Sequence, residues 1–330
     1  MATGNNFREK IMGLETNGVS SNVRHEAIHS LERRENFPPP VDFKTDETTV
    51  ETFFRPSNES LSDVYASRTG LSTEINAFSI RNRVVNQTPP DTDFDGDFVG
   101  ANGQTFSPGT RLSDIPAVMP RGGATNNETL IYVNGIRTNV QGQVNSLQAI
   151  ADRTGSRVIG VHNATQSSAA DILESLGDKL DIGNNPAVDT LADTVYNELR
   201  AGREVHLLAH SQGAIITSRA LQDVKNRLMA EDGMSRRDAE RLMSRIKVET
   251  FGGASRRFPD GPQYVHYVNR NDGVPQAFGL RSWLNPFAHA GRGAVTHYFR
   301  EGRPLVSHGF EEFYLPERVS FEQARRGNFD

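Results

Sequence analysis

Val205-His-Leu-Leu-Ala-His-Ser-Gln-Gly-Ala214 is an apolar run that stops at a serine set among small neighbours. Val205 to Ala209 reads as a buried strand, and Ala214 to about Ala230 reads as a helix. A strand that turns through a serine straight into a helix holds the hydroxyl out from the carboxyl edge of a sheet. The residues two before and two after that serine must be small, because they press on each other and on the next strand. Ala209 and Gly213 meet that demand. The helix start also turns backbone N–H groups and a positive dipole end toward charge developing nearby. Ser211 is therefore the candidate nucleophile.

Working outward, the same alternation continues on both sides. Leu130-Ile-Tyr-Val133 reads as a strand ending in an Asn134-Gly135 turn, followed by a helix over Val140–Thr154. A second strand is expected at Arg157–Val161, then helical patterns at 168–180 and 186–201. The latter opens with an Asn185 cap and Pro186 in the first helical position. Beyond the serine come a helix at 235–244 and strands at Lys247–Phe251 and Tyr264–Val268. Strands separated by long helical stretches imply a parallel sheet covered on both faces. The fold class expected is α/β, a doubly wound, mostly parallel sheet, with a catalytic domain at 128–330.

Residues 1–127 differ in character. They are rich in Asn, Ser, Thr, Pro, Glu and Arg, and Pro38-Pro39-Pro40 and Pro89-Pro90 interrupt any long period. Helix-like patches at 22–35 and 58–67 lack a wide apolar face, so a polar, largely irregular extension is expected there, partly disordered or wrapping the surface. The net charge of -5 gives no attraction to nucleic acid. With no cysteine, disulfides, thiolate metal sites and cysteine nucleophiles are excluded. No apolar run is long enough to span a bilayer, and the first ten residues hold none of signal-peptide length. The expectation is a soluble protein, cytoplasmic or exported by a route without a Sec signal.

On the strength of Ala209-His-Ser-Gln-Gly213 and its strand–turn–helix setting, residues 128–316 resemble the α/β-hydrolase superfamily, on its lipase and esterase side. The usual pattern has Gly where this chain has Ala209, a change that keeps the side chain small. The resemblance implies a triad in the chain order Ser, acid, His, with the acid in the loop after the second strand downstream of the nucleophile. That loop is Asn269–Pro275, and Asp272 is its one carboxylate. Asp272-Gly273 also reads as a plain turn.

Three histidines follow: His289 in a Gly/Ala-rich loop, His297 in the strand-like Ala294–Phe299, and His308 after a short strand at 305–307. The family places its base where His308 stands. His210 and His162 read as supports, buttressing the turn or rimming a pocket. The oxyanion hole implied by the resemblance uses the N–H groups of Gln212 and Ile136, the latter after the Asn134-Gly135 turn.

Weaker signals remain. Asp91-Thr-Asp-Phe-Asp-Gly-Asp97 begins like a calcium loop, but Asn102 stands where a bidentate Glu is needed, so an acidic flexible loop is the better reading. Ala277–Phe287, with Phe278, Leu280, Trp283, Leu284 and Phe287, reads either as a lid over the serine or as an anchor for an insertion. Taken together, the resemblance implies hydrolysis of carboxylic esters, lipid or acyl esters foremost, with no cofactor and no metal. The alternatives are a lipase-type secreted toxin or effector, whose extension docks a protein partner, and a binding protein that keeps the fold without turnover.

Overall fold

The computed structural model describes residues 92–136, 138–164, 185–281 and 287–330. The readings at 22–35, 58–67, Asp91, 168–180, Trp283 and Leu284 lie outside them. Among the described residues, eight strands form one sheet: β1 (Phe98–Val99), β2 (Thr105–Phe106), β3 (Thr129–Val133), β4 (Arg157–Val161), β5 (Val205–His210), β6 (Ile246–Phe251), β7 (Gln263–Asn269) and β8 (Val295–Phe299). Their order across the sheet is β2-β1-β4-β3-β5-β6-β7-β8. From β4 to β8 every pairing is parallel, and β1 and β2 add an antiparallel edge.

Alternate residues of the central strands face opposite ways, so each strand feeds two cores. Ile131, Val133, Leu207 and Ala209 pack on one side with α2 (Pro186–Arg200), α3 (Gly213–Ala230) and α4 (Arg236–Met243). Leu130, Tyr132 and Leu208 pack on the other with α1 (Val140–Thr154), a π-helical turn at Phe310–Tyr314 and α6 (Phe321–Arg325). A further short helix, α5 (Gly273–Ala277), follows β7. The ends obey local chemistry. Asn139 and Asn185 each accept a backbone N–H at the start of α1 and α2, and Pro186 takes the first turn of α2. Among the described residues, no helix is long and apolar enough to cross a membrane.

Two expectations need correction. A domain starting at 128 begins too late, because Phe98 and Val99 are fully buried and β1 pairs with β4. Val118 bridges Val158 further along the same edge. These apolar residues come singly or in pairs within polar sequence, too few in a row to show a period. The acidic loop is likewise held rather than loose: Asp95 accepts the Ala164 N–H at 2.9 Å, and Gly96 and Asp97 exchange backbone hydrogen bonds with His162.

The chain leaves β3 for β4 on one side, then crosses back to β5 on the other. Loops after β3 and β5 therefore diverge at their carboxyl ends, the topological switch point where doubly wound sheets form their sites. Ser211 follows β5 at that place.

Candidate active site

Ser211 sits between β5 and α3 with φ of 54°, a left-handed conformation rarely held by a residue with a side chain. Neighbouring backbone fixes it there: its N–H donates to Phe251 O at 3.1 Å, and its carbonyl accepts from Ala254 N–H at 3.0 Å. Gly213 is obligatory, because a Cβ on it would lie 2.4 Å from the Val133 carbonyl oxygen. The small-residue rule read from the sequence thus has a physical cause, the close approach of the elbow to β3.

His308 comes to the serine from far along the chain. Its Nε2 is 2.8 Å from Ser211 Oγ, and its Nδ1 is 2.5 Å from Asp272 Oδ2. A carboxylate only accepts, so Nδ1 carries the hydrogen and Nε2 offers its lone pair to the serine hydroxyl. All three side chains are buried. Asp272 also caps α5, accepting the Val274 N–H on Oδ1 at 2.8 Å. Asp272 thus makes the expected turn and also faces the His308 ring. An isolated bridge between Asp272 and Val306 ties the loop after β7 to the loop that carries His308.

The elbow and this topology settle the architecture. It is an α/β-hydrolase-like fold. No family model matches the chain, and no curated protein does. Among solved structures it is similar to an esterase from Pyrobaculum calidifontis, at 12% identity over 86% of this chain and 94% of that one, with a TM-score of 0.37. It is also similar to a protein from Xanthomonas campestris pv. campestris described as a hydrolase of the alpha/beta superfamily. There the identity is 17%, over 60% of this chain and 92% of that one, with a TM-score of 0.27. Likenesses this distant carry no argument about chemistry, which rests on the side chains above.

The two other histidines are engaged elsewhere. His297 lies in β8 with its ring stacked on Phe329, centroids 4.0 Å apart, and Glu317 at 3.5 Å. His289 is exposed and pairs with Asp260 at 2.9 Å. His162 is buried, with Nδ1 2.7 Å from Gln143 Oε1.

Gln212 precedes α3 directly after the serine, and its side-chain oxygen accepts from Asn163 Nδ2 at 2.8 Å. Asn163 is in turn locked to the buried Asn134, whose Oδ1 accepts its N–H at 2.9 Å. The turn that carries Ile136 is pressed on the serine, since a Cβ on Gly135 would stand 3.0 Å from Ser211 Cβ. Asn134 therefore staples the loops after β3 and β4 together beside Ser211.

Two contributors were not assigned their contacts by the sequence. His210 donates from Nε2 to the His308 carbonyl at 3.0 Å, and the two rings lie 4.7 Å apart. Burial first, and the neighbouring His308 second, push its pKa well below the ordinary histidine value, so it stays neutral. Tyr314 donates its hydroxyl to Asp272 Oδ2 at 2.5 Å. Burial and the Asp272 charge hold its pKa well above the usual tyrosine value. His210 was visible as the serine's neighbour. Tyr314 was not singled out by the sequence.

Proposed function

We propose that the chain is a serine hydrolase that cleaves carboxylic esters through an acyl-enzyme. The observation that carries this is the buried line from Ser211 Oγ through the His308 ring to Asp272. In the proposed reaction, Ser211 Oγ attacks the ester carbonyl as its proton passes to His308 Nε2. Asp272 holds the Nδ1–H and stabilises the imidazolium that forms. His308 then gives the proton to the departing alcohol, and the acyl group stays on Ser211. Water, deprotonated by the same imidazole, releases the acid and restores the serine. The N–H groups of Gln212 and Ile136 are the proposed donors to the oxyanion. The strained backbone at Ser211 supports the reading, since such strain concentrates where a side chain must be held for chemistry.

Lipid or acyl esters are the substrate class we assign. The support is the aromatic segment between acid and base, where Phe287 is 74% exposed. The test is labelling with a fluorophosphonate, which reacts with an activated serine and not with an ordinary one. Wild type should label, and Ser211→Ala and His308→Ala should not, with all three folded. An unlabelled wild type would favour the binding-protein alternative.

A further inference from the structure

Asp272 Oδ2 receives two donors at once, the imidazole Nδ1–H of His308 and the hydroxyl of Tyr314, each at 2.5 Å. The arrangement is built rather than incidental. Tyr314 is fully buried at the last position of the π-helical turn, a rare helix form found most often at functional sites. Its hydroxyl oxygen is in turn approached by the Asn269 N–H at 3.4 Å. Gly252, at φ of 55°, clears the space: a Cβ there would lie 2.8 Å from the Tyr314 oxygen and 2.9 Å from Asp272 Oδ2. A continuous line therefore runs from Asn269 N–H through Tyr314, Asp272 and His308 to Ser211.

Resting on the hydrolase reading, we propose that Tyr314 is a positioning residue that sets how strongly Asp272 holds the protonated base. A carboxylate oxygen shared between two donors has less negative charge to offer either one. The tyrosine therefore weakens the pull of Asp272 on the imidazolium and keeps His308 ready to give its proton to the leaving group. The titratable groups facing the pair are His210 from the end of β5 and Tyr314 from the helical turn. Phe310 packs on the His210 ring, and Phe251 packs on both Phe310 and Tyr267. Burial and Asp272 keep the Tyr314 proton on its oxygen, so it acts as a donor throughout.

Tyr314→Phe removes the donor and keeps the ring. His308 is then the one side-chain donor left on Asp272 Oδ2 and should bind its proton about tenfold more tightly, a rise of about one pH unit. Replacing Tyr314 by 3-fluorotyrosine strengthens the donor and should move the value down. The reading is NMR titration of the His308 ring, assigned by its loss in His308→Gln. It needs no turnover, so it decides the role of Tyr314 even if ester hydrolysis is never seen. Where turnover is seen, the acid limb of kcat/KM should move in the same two directions. Opposite shifts for the two replacements support the proposal. If Tyr314→Phe does not fold, the fluorotyrosine shift alone decides. A His308 value unmoved by either replacement overturns it, since a merely structural tyrosine would alter stability and leave that value in place. Failure of fluorophosphonate labelling in wild type would sink the hydrolase reading alone.

Discussion

Near each end of β5 a histidine meets buried carboxylate, and the two arrangements differ in what is left over. At the carboxyl end, His308 gives one nitrogen to Asp272 and turns the other to Ser211 Oγ. At the amino end, His206 has Glu128 at 2.8 Å on Nδ1 and Glu249 at 2.8 Å on Nε2. With a carboxylate oxygen against each nitrogen, neither nitrogen is left to take a substrate proton. Arg318 closes the cluster, 2.7 Å from the same Glu249 oxygen. His206, Glu128 and Lys247 also line a cleft, but both ring nitrogens of that histidine are already taken by carboxylates. A buried histidine beside a carboxylate is therefore not a base by virtue of that neighbour. What matters is whether its second nitrogen meets a hydroxyl or a second anion.

The largest expected effect tests the carboxyl end. Asp272→Asn should lower kcat by about 10⁴-fold, because an amide no longer fixes the Nδ1–H tautomer. His206→Gln should leave kcat within a few-fold of wild type, measured by steady-state ester hydrolysis on folded protein. Equal losses in the two variants would erase the distinction drawn here.

Next, Glu249→Gln strands the buried positive charge of Arg318 and leaves His206 with Glu128 as its one carboxylate partner. It should cost about 3–5 kcal/mol of stability in a denaturant titration, as breaking a buried pair does. Fluorophosphonate labelling of the folded fraction should be kept. A loss under about 1 kcal/mol would mean that water already screens the cluster.

The pH dependence sharpens the same contrast. Burial alone would lower the His206 value, but its hydrogen bonds to Glu128 and Glu249 and their charges raise it above 6.5. A raised histidine contributes stability fully below its unfolded value, and that contribution fades as pH climbs through the folded value. For Glu128, the His206 hydrogen bond is the main cause that lowers its pKa. For Glu249, burial opposes ionisation, yet Arg318 and His206 outweigh it and the pKa is lowered. The carboxylate contributions are present above about pH 4.5 and vanish as pH falls through their depressed values. The stability gap between wild type and His206→Gln should therefore be widest from about pH 4.5 to 6.5 and narrow at higher pH. A gap that widens above pH 7 would reverse the sign.

The smallest effect lies at neither end. Asn185→Ala removes the cap of α2 and should cost about 1 kcal/mol in a thermal melt, with kcat unchanged. It sets the scale of a purely local loss against the two coupled ones.

Much of the frame was legible along the chain. The strands at 129–133, 157–161 and 205–210 and the helices at 140–154 and 186–200 follow apolar period, caps and breakers, all of which act within a few residues. The edge strand at 98–99 was not legible, because two buried residues make no period. Ser211 was a candidate through its small neighbours, and Asp272 and His308 through loop positions that the family resemblance implied; the structure brings the three side chains together. Tyr314 and Gly252 were silent, since a shared carboxylate oxygen is a three-dimensional fact.

Covalent geometry gives helix and strand their own periods, so the sequence by itself determined which segments are which and that a serine stands on the turn between β5 and α3. It also determined the residue types available at each loop. The tertiary structure decided which strands are neighbours, and with that which distant side chains meet. His206 became an ion-cluster member because parallel register sets it beside β6, where Glu249 stands, while Glu128 and Arg318 arrive from elsewhere. His308 came to face Ser211 Oγ because its loop folds over the turn after β5. Partner choice depends on burying both faces of one sheet at once, and no local stretch of chain carries that constraint.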